Sequence, residues 1–360
     1  MKILIVKLGS IGDIVHTLPA LGAIRRAIPE SEISWVVEGR SAEILRGNAL
    51  IDNLIEVDTQ SLRGGMVIED ILLNVSKQIR DLRKFKFDIA LDFQGLWKSA
   101  AIAKISGARR RWGFAREALR EPSSRILLTD TVDVPTRIHV IEKNLALAAA
   151  ALDIAVPKAG FEFSIATPPA DKSEAAAIIS LAGAKFAVLN PAGGWVTKLW
   201  RADKFGLLAD RLWLEKGLVP LVVTGPRERH LAEEVAASSV TGKIQFAEPS
   251  LKGFYELVKS ASVYVGGDTG PTHIAIAAGA PVVGLFGPTE WWRNGSPDPL
   301  DVCIERTDIG CRVDCHRRTC DNWICMDSGI DAVFDAVSLR LARVTGAMRE
   351  QMEVSGSVKN

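Results

Sequence analysis

Short apolar runs alternate with helical patterns along most of the chain. Apolar, β-branched runs of four or five residues are typical of buried strands. Such runs are Ile3–Val6, Ile33–Val37, Leu54–Val57, Phe87–Leu91, Phe186–Leu189, Val219–Val223, Ser262–Val265 and Val282–Phe286. Helical spacing is seen at Ile71, Leu72, Val75, Ile79 and Leu82, and near residues 173–182, 203–215, 227–238 and 251–260. This alternation predicts an α/β protein with parallel sheets.

A proline-containing segment, Val156–Pro169, interrupts the alternation. We interpret it as a connection between domains. The length of 360 residues also suits two domains. We therefore predict two Rossmann-like domains, residues 1–160 and 161–345, facing each other across a cleft. A helical face is predicted from Ile330 to Val344, followed by a polar tail at 346–360.

Charge and hydropathy exclude several classes of protein. Lys and Arg number 44 and Asp and Glu number 43, a net charge of +1, whereas general nucleic-acid binders are usually clearly basic. The longest apolar run, Leu145–Leu152, is far shorter than the roughly 18–20 residues of a membrane-spanning helix. The first residues do not follow a signal-peptide pattern, because Asp13 comes soon after a brief apolar stretch. We expect a cytoplasmic protein, with contact to a membrane surface left open.

The first predicted strand runs into a glycine-rich loop, Gly9-Ser10-Ile11-Gly12-Asp13, and we predict a helix from about Asp13 or Ile14. Such a unit presents backbone N–H groups at the carboxyl edge of a sheet. Its spacing is neither the dinucleotide fingerprint nor a P-loop. Asp13 is a candidate general base, or else it simply caps the helix.

Three further loops follow predicted strands in the second half of the chain. After Asn190–Gly194, Thr197 and Lys198 supply a hydroxyl and a cation suited to a diphosphate, although Lys198 could also be a solvated helix residue. The loop Gly266–His273 leads into a helix of small residues, where Pro271 fits the first turn and Gly270 permits close backbone approach. Free N–H groups at that helix start would bind phosphate oxygens.

The third of these loops is Gly225–Glu228. Its Glu228 could accept ribose hydroxyls or could be an ordinary first-turn residue. Because three ligand-type loops lie in the second half and one loop with a carboxylate in the first, we expect a nucleotide-linked donor in the second domain and an acceptor in the first.

Three segments together resemble the bacterial lipopolysaccharide heptosyltransferases of glycosyltransferase family 9. They are KLGSIGDIVHTLPAL from Lys7, DFQGLWKSA from Asp92 and GGDTGPTHIAIAAGAPVVGLFGPT from Gly266. The resemblance implies a GT-B fold and inverting transfer of L-glycero-D-manno-heptose from ADP-heptose to the Kdo of Kdo2-lipid A. It also implies that no metal or other cofactor is needed, and that the enzyme works at the cytoplasmic face of the inner membrane.

The same resemblance implies roles for individual residues. Asp13 matches the catalytic base and Lys198 the lysine that neutralises the diphosphate. Further donor contacts would come from Thr197, Glu228, Asp268, Thr269, Gly270, Pro271 and His273. Acceptor contacts would come from Gly12, Arg63 and Arg120, since arginine suits the anionic phosphates and carboxylates of the acceptor.

The segments are most similar to the type I members, which act on Kdo2-lipid A. Type II enzymes, which act on a heptosylated core, are the alternative. Arg63 stands in a thinner basic cluster than is usual, and Arg116 replaces a common tryptophan. A sugar-nucleotide 2-epimerase would need further acid/base groups, and a non-catalytic nucleotide-sugar-binding protein would have no need of Asp13. Oligomeric state is not predicted.

Two local clusters leave alternatives open. All five cysteines lie between Cys303 and Cys325, in spacings that could hold a structural metal but lack the CxxC pairs of strong zinc sites. Reduced thiols or occasional disulfides are the other interpretation. The run Arg109–Trp112, with Arg116 and Arg120, either contacts anionic lipid headgroups or is a solvated charged face.

Overall fold

The computed structural model describes the backbone of residues 1–58, 81–183, 185–313 and 315–357, and the side chains up to residue 344. The chain divides into two compact units, Met1–Ala166 and Thr167–Asn360. The division falls within the segment Val156–Pro169, which the sequence predicts to connect two domains.

The first unit is built on a parallel sheet. Its strands are β1 (Lys2–Val6), β2 (Glu32–Glu38), β3 (Asn53–Val57), β4 (Ile89–Asp92), β5 (Arg110–Phe114) and β6 (Asp130–Val132). They are ordered β3-β2-β1-β4-β5-β6, the strand order of the Rossmann fold. Ile3 to Val6 of the central β1 have no exposed surface. A strand that is covered on both faces reads as a continuous apolar run, which is why β1 was visible in the sequence.

The second unit repeats this topology. Its strands are β7 (Phe186–Asn190), β8 (Val219–Val223), β9 (Gln245–Ala247), β10 (Val263–Gly267), β11 (Val282–Phe286) and β12 (Val302–Glu305). They are all parallel and ordered β9-β8-β7-β10-β11-β12. When the strands are numbered from the first strand of this unit, the order is the same as in the first unit. In each sheet the strand order reverses beside the first strand, between β1 and β4 and between β7 and β10.

Helices connect the strands in both units. Those of the first unit are α1 (Ile11–Val15), α2 (Leu18–Ala27), α3 (Trp97–Ile105) and α4 (Val140–Leu152). Those of the second unit are α5 (Pro169–Ala182), α6 (Ala202–Lys216), α7 (Arg229–Ala237), α8 (Leu251–Val258), α9 (Gly270–Ala277), α10 (Trp291–Asn294) and α11 (Ile330–Ser357). Short 3₁₀ helices lie at Gly39–Ile44, Arg116–Ala118, Pro122–Leu127, Val196–Lys198, Gly310–Arg312 and Ile324–Met326.

Each unit has its own apolar core. In the first unit, Leu4, Val36 and Ala90 of three neighbouring strands pack with Phe87 and Ala103. In the second, the sheet packs against α6 and the start of α11, and its core includes Leu189, Val265, Leu208, Phe334 and Val337. No helix among the described ranges is long and apolar enough to span a membrane.

The predicted strands are confirmed, and four others were not predicted. β5 begins with two arginines, β6 and β9 have three residues each, and β12 lies in the cysteine region. The predicted helices at 173–182, 203–215, 227–238, 251–260 and from Ile330 are also confirmed. The helical pattern of residues 71–82 lies almost wholly outside the described residues.

Two predicted boundaries were wrong. The helix after β1 begins at Ile11 rather than at Asp13 or Ile14, because Ser10 occupies the N-cap position and Asp13 lies inside the first turn. The predicted tail at 346–360 does not begin as a separate segment, because α11 continues to Ser357. A polar sequence of helix-forming residues such as Met348-Arg349-Glu350 extends a helix readily.

Two helix glycines offer a matched test of the packing. A Cβ at Gly206 of α6 would lie 2.5 Å from the Val235 carbonyl oxygen and 2.8 Å from Ser238 Cβ, whereas a Cβ at Gly22 of α2 would meet nothing within 4 Å. Gly206→Ala should therefore lower the free energy of unfolding by about 1–3 kcal/mol. Gly22→Ala should raise it by about 0.5–1 kcal/mol. Urea unfolding followed by circular dichroism measures both, and changes of the same sign would contradict this packing.

Candidate functional site

The chemistry-bearing loops of both units lie where the strand order reverses. In open parallel sheets, ligands bind at the carboxyl ends of the strands at this switch point. In the first unit, β1 leads to the Gly9–Asp13 loop and β4 leads to Gln94. In the second unit, β7 leads to Lys198 and β10 to Asp268. The first of these groups is the first-unit site, and the second is the second-unit site.

Asp13 is the central carboxylate of the first-unit site. It lies in the first turn of α1, where its Oδ2 accepts hydrogen bonds from the Ser10 backbone N–H (2.9 Å) and the Ser10 hydroxyl (3.2 Å). The capping interpretation of Asp13 is therefore confirmed. Its side chain nevertheless remains 41% exposed. A partly exposed carboxylate of this kind is also suited to accept a proton from a bound hydroxyl.

Residues just after β1 and β4 support the loop that carries Asp13. The buried Lys7 donates to the Phe93 carbonyl (2.9 Å), and its Nζ lies 3.6 Å from Asp13 Oδ1. The Gln94 side-chain oxygen accepts from the Leu8 backbone N–H (3.0 Å). Lys7, Gln94 and Asp92 were not predicted as site residues. One signal was available: Lys7 is a charged residue in the apolar run from Ile3 to Leu8.

Asp92 ends β4 and is almost completely buried. It accepts hydrogen bonds from the backbone N–H groups of Gln94 (2.9 Å) and Gly95 (3.1 Å) and from the Ser99 hydroxyl (3.0 Å). Burial raises the pKa of Asp92 to about 6, although these hydrogen bonds and the Lys7 charge oppose the shift. Through these hydrogen bonds, the buried Asp92 holds the backbone of the turn that follows β4.

The predicted acceptor residues are placed differently. Gly12 is buried within α1. Arg120 is exposed and lies beside the turn after β4, since the Glu121 N–H donates to the Gly95 carbonyl (3.3 Å). Arg63 lies outside the described residues. The structure thus brings Arg120 to the same sheet edge as Asp13.

The basic run Arg109–Trp112 extends into β5 rather than forming a free charged face. The Arg111 guanidinium donates to the carbonyls of Leu127 (2.9 Å) and Ala108 (3.0 Å). Arg110 lies over the Trp112 ring, 5.4 Å from its centroid. Arg109 and Arg110 are exposed, so part of the run can still meet an anionic surface.

Asp268 is the hub of the second-unit site. It follows β10 and is buried. Its Oδ2 accepts from Lys198 Nζ (2.5 Å), the Thr289 hydroxyl (2.6 Å) and the Asn294 amide (3.2 Å). Its Oδ1 lies 3.0 Å from His273 Nε2. Burial opposes ionisation of Asp268, but the His273 hydrogen bond and the Lys198 charge hold its pKa well below the usual range. Asp268 is therefore an anion that fixes Lys198, and Thr289 and Asn294 are partners that were not predicted.

The loop after β10 forms the start of α9 as predicted. Thr269 is at the N-cap, the helix begins at Gly270, and Pro271 lies in its first turn. The Thr272 hydroxyl donates to the Gly267 carbonyl and pairs with the Tyr264 hydroxyl (2.9 Å). These contacts anchor the helix start at the carboxyl edge of the sheet. The first N–H groups of a helix have no partners within the helix, and they favour anions.

Two predicted donor residues make contacts inside the protein. The buried Thr197 donates its hydroxyl to the Arg317 carbonyl (2.7 Å), which joins this loop to the cysteine region. Glu228 precedes α7, and its carboxylate accepts from the Gly225 backbone N–H (2.9 Å). Both residues line loops at strand ends, and their contacts with a donor remain predictions.

The cysteine region contains a cavity of about 390 Å³. Its lining includes four thiols, of Cys311, Cys315, Cys320 and Cys325, while Cys303 lies in β12. Burial raises the pKa of Cys325, and the nearby thiols of the other three add to the shift. Among the residues that the structure describes, no cluster of three or more histidine, cysteine or acidic side chains is arranged to hold a metal ion. The cysteines are all free thiols in this structure.

Known proteins share both the sequence and the fold of this chain. The model of glycosyltransferase family 9 (heptosyltransferase) matches residues 75–330. Lipopolysaccharide heptosyltransferase 1 of Pseudomonas aeruginosa is 30% identical over 326 residues, which cover 85% of this chain and 87% of that protein.

Two solved structures extend the comparison. The E. coli heptosyltransferase WaaC with ADP has a TM-score of 0.71 at 25% identity, covering 84% of this chain and 92% of that one. E. coli ADP-heptose lps heptosyltransferase II has a TM-score of 0.74 at 17% identity, covering 96% and 100%. The fold class is therefore GT-B, an α/β architecture of two Rossmann-like units.

The buried ion pair of Asp268 with Lys198 is expected to contribute to the stability of the protein. Asp268→Asn leaves the Lys198 ammonium without its counter-charge at a mostly buried position, so the free energy of unfolding should fall by about 3 kcal/mol. In the double variant with Lys198→Met, both charges are removed and the loss should be smaller. Urea unfolding measures each variant.

The matched control is Asp308→Asn, which breaks an exposed pair with Arg306. Because surface ion pairs contribute little, its urea midpoint should equal that of the parent protein. An Asp268→Asn protein as stable as the parent would show that the buried pair is not needed for folding.

Proposed function

Because the chain belongs to glycosyltransferase family 9, the heptosyltransferases, we propose that it transfers L-glycero-D-manno-heptose from ADP-heptose to the Kdo of Kdo2-lipid A. At the coarser level, it is a glycosyltransferase of lipopolysaccharide core biosynthesis. The observation that carries the proposal is the placement of an accessible carboxylate, Asp13, and a fixed lysine, Lys198, at the switch points of two Rossmann-like sheets.

The second-unit site suits the diphosphate of the donor. An ammonium group has three hydrogens to donate. The Lys198 ammonium donates to the Asp268 carboxylate (2.5 Å) and carbonyl (3.1 Å) and lies 4.4 Å from the centroid of the Trp195 ring, and we expect its third hydrogen to turn to a phosphate oxygen when the donor binds. The start of α9, at Thr269, Gly270 and Pro271, adds backbone donors on a helix dipole. The comparison structure of WaaC carries ADP, which agrees with an ADP-sugar as the donor.

The first-unit site suits proton removal. Asp13 takes the proton of an acceptor hydroxyl as that oxygen forms a bond to the anomeric carbon of the heptose. The bond from this carbon to the β-phosphate oxygen breaks, and ADP leaves with the electron pair. Lys198 and the N-terminus of α9 stabilise the charge that develops on the departing diphosphate. One displacement of this kind inverts the anomeric centre and needs neither a covalent intermediate nor a metal.

The proposed acceptor is supported by the charge of the first-unit site and by the similarity of the chain to known heptosyltransferases. Kdo2-lipid A carries carboxylates and phosphates, which suit Arg120 at the Asp13 edge of the sheet and the predicted contact Arg63. The similarity to lipopolysaccharide heptosyltransferase 1 of Pseudomonas aeruginosa supports Kdo2-lipid A as the acceptor of this chain, and a heptosylated core is the second candidate. Because either acceptor is a lipid, we propose that the enzyme works peripherally at the cytoplasmic face of the inner membrane, where exposed Arg109 and Arg110 would meet anionic headgroups.

An acceptor comparison tests the proposal. The purified chain is incubated with ADP-heptose and either Kdo2-lipid A or its heptosylated form, with and without EDTA. ADP release and the glycolipid mass are followed. A gain of one heptose on Kdo2-lipid A, unaffected by EDTA, is expected. Transfer only to the heptosylated lipid would assign type II, and absence of transfer to both would reject the proposed reaction.

Asp13→Asn tests the base. The amide keeps the size of the side chain but cannot take a proton at neutral pH, so turnover should fall by about 10²–10⁴-fold. Binding of ADP-heptose, measured by calorimetry, should change little. The exposed Asp153 has a left-handed backbone that asparagine tolerates, so Asp153→Asn serves as the control and should keep full activity. Normal turnover in Asp13→Asn would remove this residue from the base role.

Lys198→Met tests the donor contact. Loss of a charge-assisted hydrogen bond should weaken ADP-heptose binding by about tenfold or more. Lys259→Met, which removes an ion pair with Glu256 on the surface of the same unit, is the control and should bind normally. Equal dissociation constants for Lys198→Met and the parent protein would refute the assignment.

A further inference from the structure

The buried Lys7 is an unusual neighbour for a candidate base. It lies one residue after β1 and is 3% exposed, and lysine is almost never buried without a partner. Its ammonium donates to the Phe93 carbonyl at 2.9 Å, which joins β1 to the turn after β4 across 86 residues. A lysine needed only for packing could be replaced by an apolar residue, so its charge calls for a role.

That charge is directed toward Asp13. Lys7 Nζ lies 3.6 Å from Asp13 Oδ1, which is longer than a charge-assisted hydrogen bond but well within Coulombic range. The other carboxylate oxygen, Oδ2, is held by the backbone and hydroxyl of Ser10. The two oxygens of Asp13 therefore have different environments: one is tethered by hydrogen bonds, and the other faces a buried cation.

We propose that Lys7 is a positioning residue for Asp13. The fixed positive charge of Lys7 keeps the Asp13 carboxylate ionised and orients its Oδ1 for the acceptor hydroxyl. The proposal rests on the proposed function, because it gives Asp13 the role of the base. Lys7 itself does not touch the reacting atoms. It acts through its electrostatic field at Asp13 Oδ1. The hydrogen bond to the Phe93 carbonyl holds the Lys7 ammonium back from a direct hydrogen-bonded ion pair with the carboxylate.

Several other ionisable groups that the structure describes at this sheet edge have partners of their own, whereas Arg120 is exposed. Asp92 is buried near Lys7 and accepts hydrogen bonds from Gln94, Gly95 and Ser99. Glu38, at the end of β2, pairs with Arg40 (2.8 Å) and Lys98 (2.6 Å). The ring of His16, one residue beyond α1, packs edge-on against the ring of His139, with 5.9 Å between the two ring centroids. Lys7 is the cation that the described ion pairs place next to Asp13.

The test is a direct titration of Asp13. The intact protein is labelled with ¹³C at the aspartate carboxyl groups, and the Asp13 resonance is assigned by its loss in Asp13→Asn. An opposite charge at this range lowers a carboxyl pKa, so Lys7→Met should move the Asp13 titration upward by about one pH unit. Lys2→Met is the matched control at the start of β1, where Lys2 forms an exposed pair with Glu32, and it should leave the Asp13 titration unchanged.

Turnover supplies the second measurement. The base must be ionised, so the acidic limb of kcat against pH should move upward with the Asp13 titration in Lys7→Met, while the Kd of ADP-heptose stays constant. Lys7→Arg keeps the charge and should keep the limb near its original position. If Lys7→Met does not fold, Lys7→Gln retains a donor for the Phe93 carbonyl without the charge and serves in its place.

The outcomes separate the two hypotheses. A shifted Asp13 titration with a shifted acidic limb supports the role of Lys7. An Asp13 titration that is identical in the parent protein and in Lys7→Met overturns it, whatever the turnover. If Lys7→Met shifts the Asp13 titration but the parent protein itself transfers no heptose, the electrostatic coupling between Lys7 and Asp13 stands. The proposed function is then rejected.

Discussion

Parallel strand pairing is the constraint on which the rest of this structure depends. Parallel strands all end at the same edge of a sheet, and each connection must cross over through a helix, so the loops with chemistry collect at that edge. Both units follow the same strand order, with a switch point beside their first strand. Residues far apart in sequence, such as Lys7 and Phe93 or Lys198 and Asp268, meet there for this reason.

The two sites treat a carboxylate in opposite ways. Asp268 is buried and satisfied by several donors, so it remains an anion and acts as a fixed anchor for Lys198. Asp13 is partly exposed, with one oxygen tethered to Ser10 and the other facing Lys7 at a longer distance. A saturated anion is suited to binding and orientation, whereas an accessible one is suited to take a proton. This difference in environment supports assigning leaving-group stabilisation to the second unit and base chemistry to the first.

Much of the fold could be predicted, because buried parallel strands are continuous apolar runs and Pro271 marks the start of α9. β5 could not, since Arg110 and Arg111 precede its Trp112 and hide the strand signal. The glycine loops identified Asp13 and Lys198 as candidates, and the family resemblance added Asp268. Lys7 gave one signal, a charge within an apolar run, but its proximity to Asp13 and the roles of Thr289 and Asn294 become visible only when distant segments meet. The internal contacts of Thr197 and Glu228 were equally hidden, because sequence does not show which hydrogen bonds a side chain already makes.

In the proposed reaction, one carboxylate acts as the base and one stabilised diphosphate leaves, in a single displacement at the anomeric carbon. The anomeric configuration of the transferred heptose tests this most directly, and NMR of the purified glycolipid product measures it against the donor. A single displacement predicts a product linkage of the opposite anomeric configuration to ADP-heptose. Retention of the donor configuration would rule out a single displacement, because retention requires an additional step that Asp13 acting as a base does not supply.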